Sequence, residues 1–439
     1  MGKRLQLRKD NQEGWSMGGD VTVSTLGALT ALVIAIVLIL RKVSPAYGML
    51  AGAFIGGLVG GVDVVQTVNV MMEGAKDMIP AVLRIMAAGV LAGVLIESGA
   101  ALSIAEAIVK KLGEARALLA LALATMILTT VGVFVDVAVI TVAPIALAIA
   151  KRAKLSKTGI LLAMIGGGKA GNIMSPNPNA IAASDAFGVP LTSLMAAGVI
   201  PAMFGIAVTY VLAKKLANKG TPVLEEGADQ GEVQVPGFLQ ALVGLLVTIL
   251  LLALRPLFQI NIDPMIALPI GGIVGALFMK KGKFLNDYAM SGLHKMSGVA
   301  IMLLGTGTLA GIVSNSSMKE VFIQALDASG LPPYLLAPTS GIFMSAATAS
   351  TTAGTAVASG VFSGTLIGLG VSALSGAAMI HAGATVLDHM PHGSFFHATA
   401  GSVQMDIKER LKLMPFESLI GLTLTVVSTI IFGIFQLFG

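Results

Sequence analysis

Apolar runs of about 20 residues recur along this chain from position 22 to position 438, the length a helix needs to cross a bilayer core of ~30 Å. Only 12% of its 439 residues are charged and 55% are hydrophobic, against roughly 25% charged in soluble domains. In lipid, every backbone polar group must be satisfied within the protein, which leaves helices or closed barrels. An all-α polytopic membrane protein is therefore expected. Two stretches do not fit plain helices: GGGKAGNIMSPNP (Gly166 to Pro178) and HAGATVLDHMPHGSFFH (His381 to His397). Non-helical backbone at membrane depth is tolerated only where protein buries it or where it lines a watery cavity. Discontinuous helices of this kind hold the substrate sites of transporters.

The 24 residues Lys214 to Gly237 form the longest polar stretch within the apolar region and divide the chain. The expected organisation is a polar tail (1–21), a first repeat (22–213), a cytoplasmic linker (214–236) and a second repeat (237–439). GVLAGVLIESGAALSIAEAIVKKLG from Gly89 echoes GTLAGIVSNSSMKEVFIQALDASG from Gly307. Both halves also share one order of elements, the signature of a duplicated carrier core. In the first half, spans are expected at 22–41, 46–62 and 79–97, with an amphipathic link before the third and an amphipathic helix at 99–112. A long stretch at 115–151, interrupted at Gly132 and Asp136, precedes a broken span at 157–187 and a last span at 189–213. The second half repeats this as 237–258, 263–279, a link, 296–314, an amphipathic helix 317–329, a hairpin 333–371, a broken span 373–402 and a last span 415–438.

Basic residues orient these elements, because loops rich in Lys and Arg stay cytoplasmic. Arg41/Lys42, Lys110/Lys111/Arg116, Lys151/Arg152/Lys154/Lys157 and Lys214/Lys215/Lys219 share one side only if the first span runs inward and 115–151 is a re-entrant hairpin. With about five crossings per half, the second half is inverted. Lys280/Lys281/Lys283 and Lys408/Arg410/Lys412 then also face the cytoplasm, while Lys319, Asp327 and the C-terminus lie outside. Lys3, Arg4, Arg8 and Lys9 of the tail are the exception to the rule. The net charge of +5 reflects this loop bias and implies no nucleic acid. With no cysteine in the chain, disulfides, thiolate metal sites and cysteine nucleophiles are excluded.

Several residues can carry chemistry. Asp136, in the first hairpin, is an ionisable group at membrane depth and therefore a functional candidate, with a protonated packing carboxyl as the plain alternative. The first broken span offers Lys169, Asn172, Ser175, Asn177 and Asn179. Pro176 and Pro178 lack backbone donors and stop a helix. The half-helix that restarts after them would present its N-terminal amides to a carboxylate, with Lys169 as counter-charge or, alternatively, a snorkelling lysine. The second hairpin is dense in hydroxyls; Ser350, Thr351, Thr352 and Thr355 suit an oxyanion or a partly dehydrated cation, or simply close helix packing. The second broken span holds Asp388 with His389 and His392, groups suited to moving protons because histidine titrates near neutrality. His381 or His397 reads as a helix-end residue at the membrane interface. His389 and His392 at i, i+3 could also ligate zinc, but Pro391 and Gly393 break the helix that would fix them, so no metal or other cofactor is expected. No G-x-S-x-G elbow or comparable triad accompanies these residues, so an enzyme is not expected. Rings of charge that would line an anion channel are missing too.

These motifs resemble those of the gluconate permease (GntP) family within the wider ion-transporter superfamily, over nearly the whole chain. FVDVAVITVAPI (Phe134 to Ile145) is similar to that family's first-hairpin motif. DHMPHGSFF (Asp388 to Phe396) is similar to its C-terminal histidine motif, matching at His389 and Gly393. Where the family shows a His-Gly…Pro-Pro-His-Pro pattern, this chain has GGGKAGNIMSPNPNA, which marks a divergent branch. The resemblance implies an elevator-type carrier built of two inverted repeats, each with about five spans, a re-entrant hairpin and a broken helix. It further implies a homodimer in a bacterial inner membrane that imports a small hydroxy-monocarboxylate with protons. The substrate carboxylate would sit between Asn172–Asn179 and Ser350–Thr355, with Asp136, Asp388, His389 and His392 as coupling groups. A sodium-coupled carrier of a di- or tricarboxylate remains the alternative.

Overall fold

The computed structural model describes residues 22–113, 116–223, 235–258, 260, 262–317, 330–391 and 393–437. The polar tail, most of the linker, the expected amphipathic helix from residue 318 to 329, and His392 lie outside the described residues.

The first half opens with α1 (Thr25–Leu40), capped by the Ser24 hydroxyl, which accepts the Gly27 N–H at 3.3 Å. Then follow α2 (Pro45–Val59), α3 (Val64–Asp77), α4 (Ile79–Glu97) and α5 (Ala100–Leu112). The long stretch after them folds as a hairpin of α6 (Ala117–Thr130) and α7 (Val135–Ala153), turning at Gly132, whose φ of +101° suits glycine. The first broken span is α8 (Lys157–Asn172) and α9 (Pro178–Ala186). The closing span is divided into α10 (Leu191–Ala197) and α11 (Val199–Leu216), because Pro201 has no N–H to continue the ladder back to Ala197.

The second half repeats the order with α12 (Phe238–Phe258), α13 (Pro264–Phe278) and α14 (Leu285–Ser314). A hairpin of α15 (Leu336–Thr348) and α16 (Thr351–Gly368) follows, turning at Ala349 with φ +49°. The second broken span is α17 (Ala373–Gly383) and α18 (Ser394–Ser402), and α19 (Ile407–Ser428) closes the chain through a π-turn at Thr429–Ile434. Two expectations change. The link and the span 296–314 form one helix of 30 residues, because this segment lacks the proline (Pro80) that separates α3 from α4. The last span begins at Ile407, not 415, and it draws Arg410 out of the expected cytoplasmic loop into the interior, fully buried. Among the described residues, Ile79–Glu97, Leu191–Leu216, Gly282–Ser314 and Ile407–Ile434 are long and apolar enough to cross a membrane. α1, α2, α6 and α13 are shorter apolar helices.

Two sets of packed helices emerge. α3, α4 and α13 pack on one another or on α14, and α1 and α2 join the same frame. The α4–α14 crossing is close enough that a Cβ on Gly292 would lie 1.8 Å from the Gly89 carbonyl oxygen. Gly292→Ala is therefore expected to push the two helices apart and cost about 1–3 kcal/mol, read as a lower midpoint of thermal unfolding in detergent. The second set holds both hairpins, both broken spans, α11 and α19. At its centre α8 is buried all round, from Thr158 to Asn172. The sets meet where α14 packs on α16, and α4 on α9.

Chain ends of the elements gather at two opposite ends. At one end the Val23 N–H donates to the Asn315 carbonyl at 2.8 Å. There Arg84 also pairs with Asp185 and with Asp263, the latter at 2.7 Å. At the other end Lys157 Nζ donates to the Gln404 carbonyl at 2.7 Å and Lys281 Nζ to the Ser98 carbonyl at 2.9 Å.

Candidate functional site

The breaks in α8–α9 and α17–α18 meet the two hairpin tips around a cavity of about 440 Å³. The first break is fastened by its own side chains. Asn177 caps α9 by accepting the Ala180 N–H at 3.0 Å, and Pro178 occupies the first turn, where its missing N–H costs nothing. The Asn177 amide donates to the Asn172 carbonyl at 2.7 Å and to its side-chain oxygen at 2.6 Å. An amide thereby satisfies a carbonyl that the end of α8 leaves free.

The cavity gathers Asp136, Asn172, Asn179, Ser350, Thr351, Thr352 and Asp388 from the sequence-derived candidates. It adds Phe134, Ser394 and Phe395, and from α14 Lys295, Gly298, Val299 and Met302. Thr352 Oγ1 donates to Asn179 Oδ1 at 2.6 Å, which joins the second hairpin tip to the first broken span. Asp136 Oδ1 accepts the Val137 N–H at 2.9 Å, and among the described residues no cation pairs with this carboxylate. Ser175, Asn177 and Thr355 are buried but do not line the cavity; the hydroxyls of Ser175 and Thr355 have no hydrogen-bond partner among the described residues.

Lys169 is not the free counter-charge that its position in the sequence suggests. It is 1% exposed and its ammonium pairs with Asp388 Oδ1. It also donates to the Thr385 carbonyl and lies 3.2 Å from His389 Nδ1. A lysine on a helix buried all round has no route to water, so a carboxylate must meet it there. The other Asp388 oxygen accepts from Thr351 Oγ1 at 2.6 Å and this residue reaches the cavity wall. His389 stands behind, with Nδ1 3.1 Å from Asp388 Oδ1, and Nε2 3.1 Å from both the Met414 carbonyl and Ser418 Oγ.

A second buried pair, Arg410 with Glu417, lies deeper, and Glu417 Oε2 is 3.9 Å from His389 Nδ1. The Arg410 guanidinium lies over the Phe396 ring at 4.8 Å and donates to Thr399 Oγ1 at 3.3 Å. Two cations, Lys169 and Arg410, thus stand against two carboxylates, Asp388 and Glu417, around His389. Arg410, Glu417 and Lys295 were missed from the sequence. Arg410 and Glu417 had a signal: opposite charges seven residues apart share one helix face after about two turns. Lys295 had a weaker one, a lone cation at the start of an apolar run. Of the two histidines of which one was expected at a helix end near the interface, His397 is exposed and meets the Pro391 carbonyl at 2.9 Å, whereas His381 is 1% exposed and its Nε2 has no partner among the described residues.

Known proteins with similar sequence or structure agree with this architecture. The family model described as GntP family permease matches residues 23–435. An uncharacterized transporter of Haemophilus influenzae is 70% identical over 416 residues, 94% of this chain and 99% of its own length. The inner membrane permease YgbN of Escherichia coli is 26% identical over 382 residues, 78% of this chain and 83% of its own. The crystal structure of the Alcanivorax borkumensis YdaH transporter is similar in fold, with a TM-score of 0.59 at 15% identity, covering 83% of this chain and 86% of that one. A family match over residues 23–435, together with a relative 70% identical over nearly its whole length, makes this chain a multi-pass transporter that belongs to the GntP permease family.

Proposed function

We propose that the chain is a secondary active symporter that imports a small hydroxy-monocarboxylate, of the gluconate, glycerate or 3-hydroxybutyrate kind, with protons. The observation that carries this reading is the cavity wall itself. Amides and hydroxyls from Asn172, Asn179, Ser350 and Thr352 face a space of about 440 Å³ beside the buried Lys169–Asp388 pair and His389. Side chains that both donate and accept suit a hydroxylated chain. A proton gained or lost by a buried group beside the cavity changes the field that an anion there feels.

In this reading residues 22–213 and 237–439 are inverted repeats. The hairpins and broken helices carry the substrate past the frame of α1–α4 and α12–α14, elevator fashion. The end bearing the basic loops is cytoplasmic by the positive-inside rule; Lys295 on the cavity wall bonds Glu97 at the end of α4, and in this reading the cavity communicates with that side. Arg84, held by Asp185 and Asp263, closes the opposite end. The carrier works as a homodimer in a bacterial inner membrane; similarity to an inner membrane permease of Escherichia coli supports that placement.

Uptake into proteoliposomes of labelled gluconate, glycerate, 3-hydroxybutyrate and citrate tests the proposal. An inward pH gradient alone should drive accumulation of a monocarboxylate, recovered chemically unchanged. Accumulation of citrate only, or only under a sodium gradient, would replace it with the sodium-coupled di- or tricarboxylate reading. Asp136→Asn and His389→Ala should each end pH-driven accumulation; if both variants keep it, neither group couples.

A further inference from the structure

Once Lys169 is taken by Asp388, the cavity has a different cation. Lys295 lines it from α14, on the frame and not on the hairpins or broken helices. Its ammonium donates to Glu97 Oε1 at 2.7 Å and to Ser291 Oγ at 3.1 Å. Glu97 Oε1 also accepts from Ser291 Oγ at 2.7 Å. An ammonium has three donors, so one remains for a ligand. Both members of the pair are part-exposed, with side chains 32% and 38% accessible. Such a pair is weakly held and can exchange partners. Asp136 and Asp388 line the same cavity, and neither can receive an anion.

We propose that Lys295 is the carboxylate-binding residue of the cytoplasm-facing state, exchanging Glu97 for the substrate's carboxylate. This rests on the carboxylate-transport reading above and names the group that recognises the charge. The amides and hydroxyls that meet the rest of the substrate ride on the hairpins and broken helices, whereas Lys295 stays with α14. When those elements move past α14, the lysine leaves the site. It therefore contributes to binding on one side of the membrane only. A ligand shifts a two-state equilibrium by its differential affinity for the states, so the anion favours the conformation in which Lys295 is present. Glu97 competes with the substrate for the ammonium and aids release.

The test is substrate–substrate exchange without any ion gradient, in inside-out and right-side-out membrane vesicles, with whichever labelled monocarboxylate the wild type exchanges. Lys295→Met should raise the half-saturation concentration about tenfold or more at the cytoplasmic face, and change it less than twofold at the other. Lys295→Arg should restore most of the loss. Glu97→Gln should lower the cytoplasmic half-saturation, since the competitor is gone. A merely structural ion pair would make Lys295→Met and Glu97→Gln act alike, and that result overturns the proposal. Equal shifts at both faces, or none, overturn it as well. If the wild type exchanges no carboxylate at all, the transport reading fails and takes this one with it; wild-type exchange with an unaltered Lys295→Met fails this one alone.

Discussion

Lys169→Met is expected to destabilise the folded protein by about 3–5 kcal/mol, the cost of leaving one partner of a buried ion pair without the other. Asp388 is 3% exposed and would keep only Thr351 and His389 as partners. The measurement is thermal unfolding in detergent, followed by the fraction still monodisperse after heating. Lys169→Met combined with Asp388→Asn should regain most of the lost stability, because no unpaired charge remains. The double variant separates fold from transport. It keeps the cavity, so it should still exchange substrate. It has lost the carboxylate on the cavity wall, so it should not accumulate substrate under a pH gradient. Accumulation by a folded double variant would remove this pair from the coupling scheme. A double variant as unstable as the single one would instead mean that the side chains matter for shape and not for charge.

Arg410→Met should have an effect of similar size, about 3–5 kcal/mol, for the same reason at a different depth. Arg410 and Glu417 are both 0% exposed and meet through two parallel hydrogen bonds. Here the repair is predicted to restore activity too. Arg410→Met with Glu417→Leu should come within about 1 kcal/mol of the wild type, since apolar replacement of a buried pair is often neutral. Neither residue lines the cavity, so this double variant should retain exchange. Loss of exchange in a stable double variant would show that Glu417, 3.9 Å from His389, orients or charges that histidine.

The sequence by itself determined the helical, membrane-spanning character and the order of elements. Lipid forbids unsatisfied backbone, so apolar length dictates helix, and the glycines and prolines at 166–178 and 381–397 dictate where helix must stop. Motifs that break helices act locally, through missing donors and permitted φ values, and are therefore legible without a fold. Local signals misplaced boundaries where they were silent: nothing stops α14 between Leu285 and Ser314, so link and span fuse. Only the tertiary structure decided which charge meets which. Lys169 and Asp388 are 219 positions apart, and the pairing of the two broken helices brings them together. That contact turned Lys169 from a candidate substrate ligand into half of an ion pair. It also left Lys295, which bonds Glu97, as a lysine on the cavity wall, a residue whose sequence context shows little more than a helix entering a membrane. Coulomb interactions are strong where water is excluded, and which groups lose their water is a property of packing that no stretch of sequence displays.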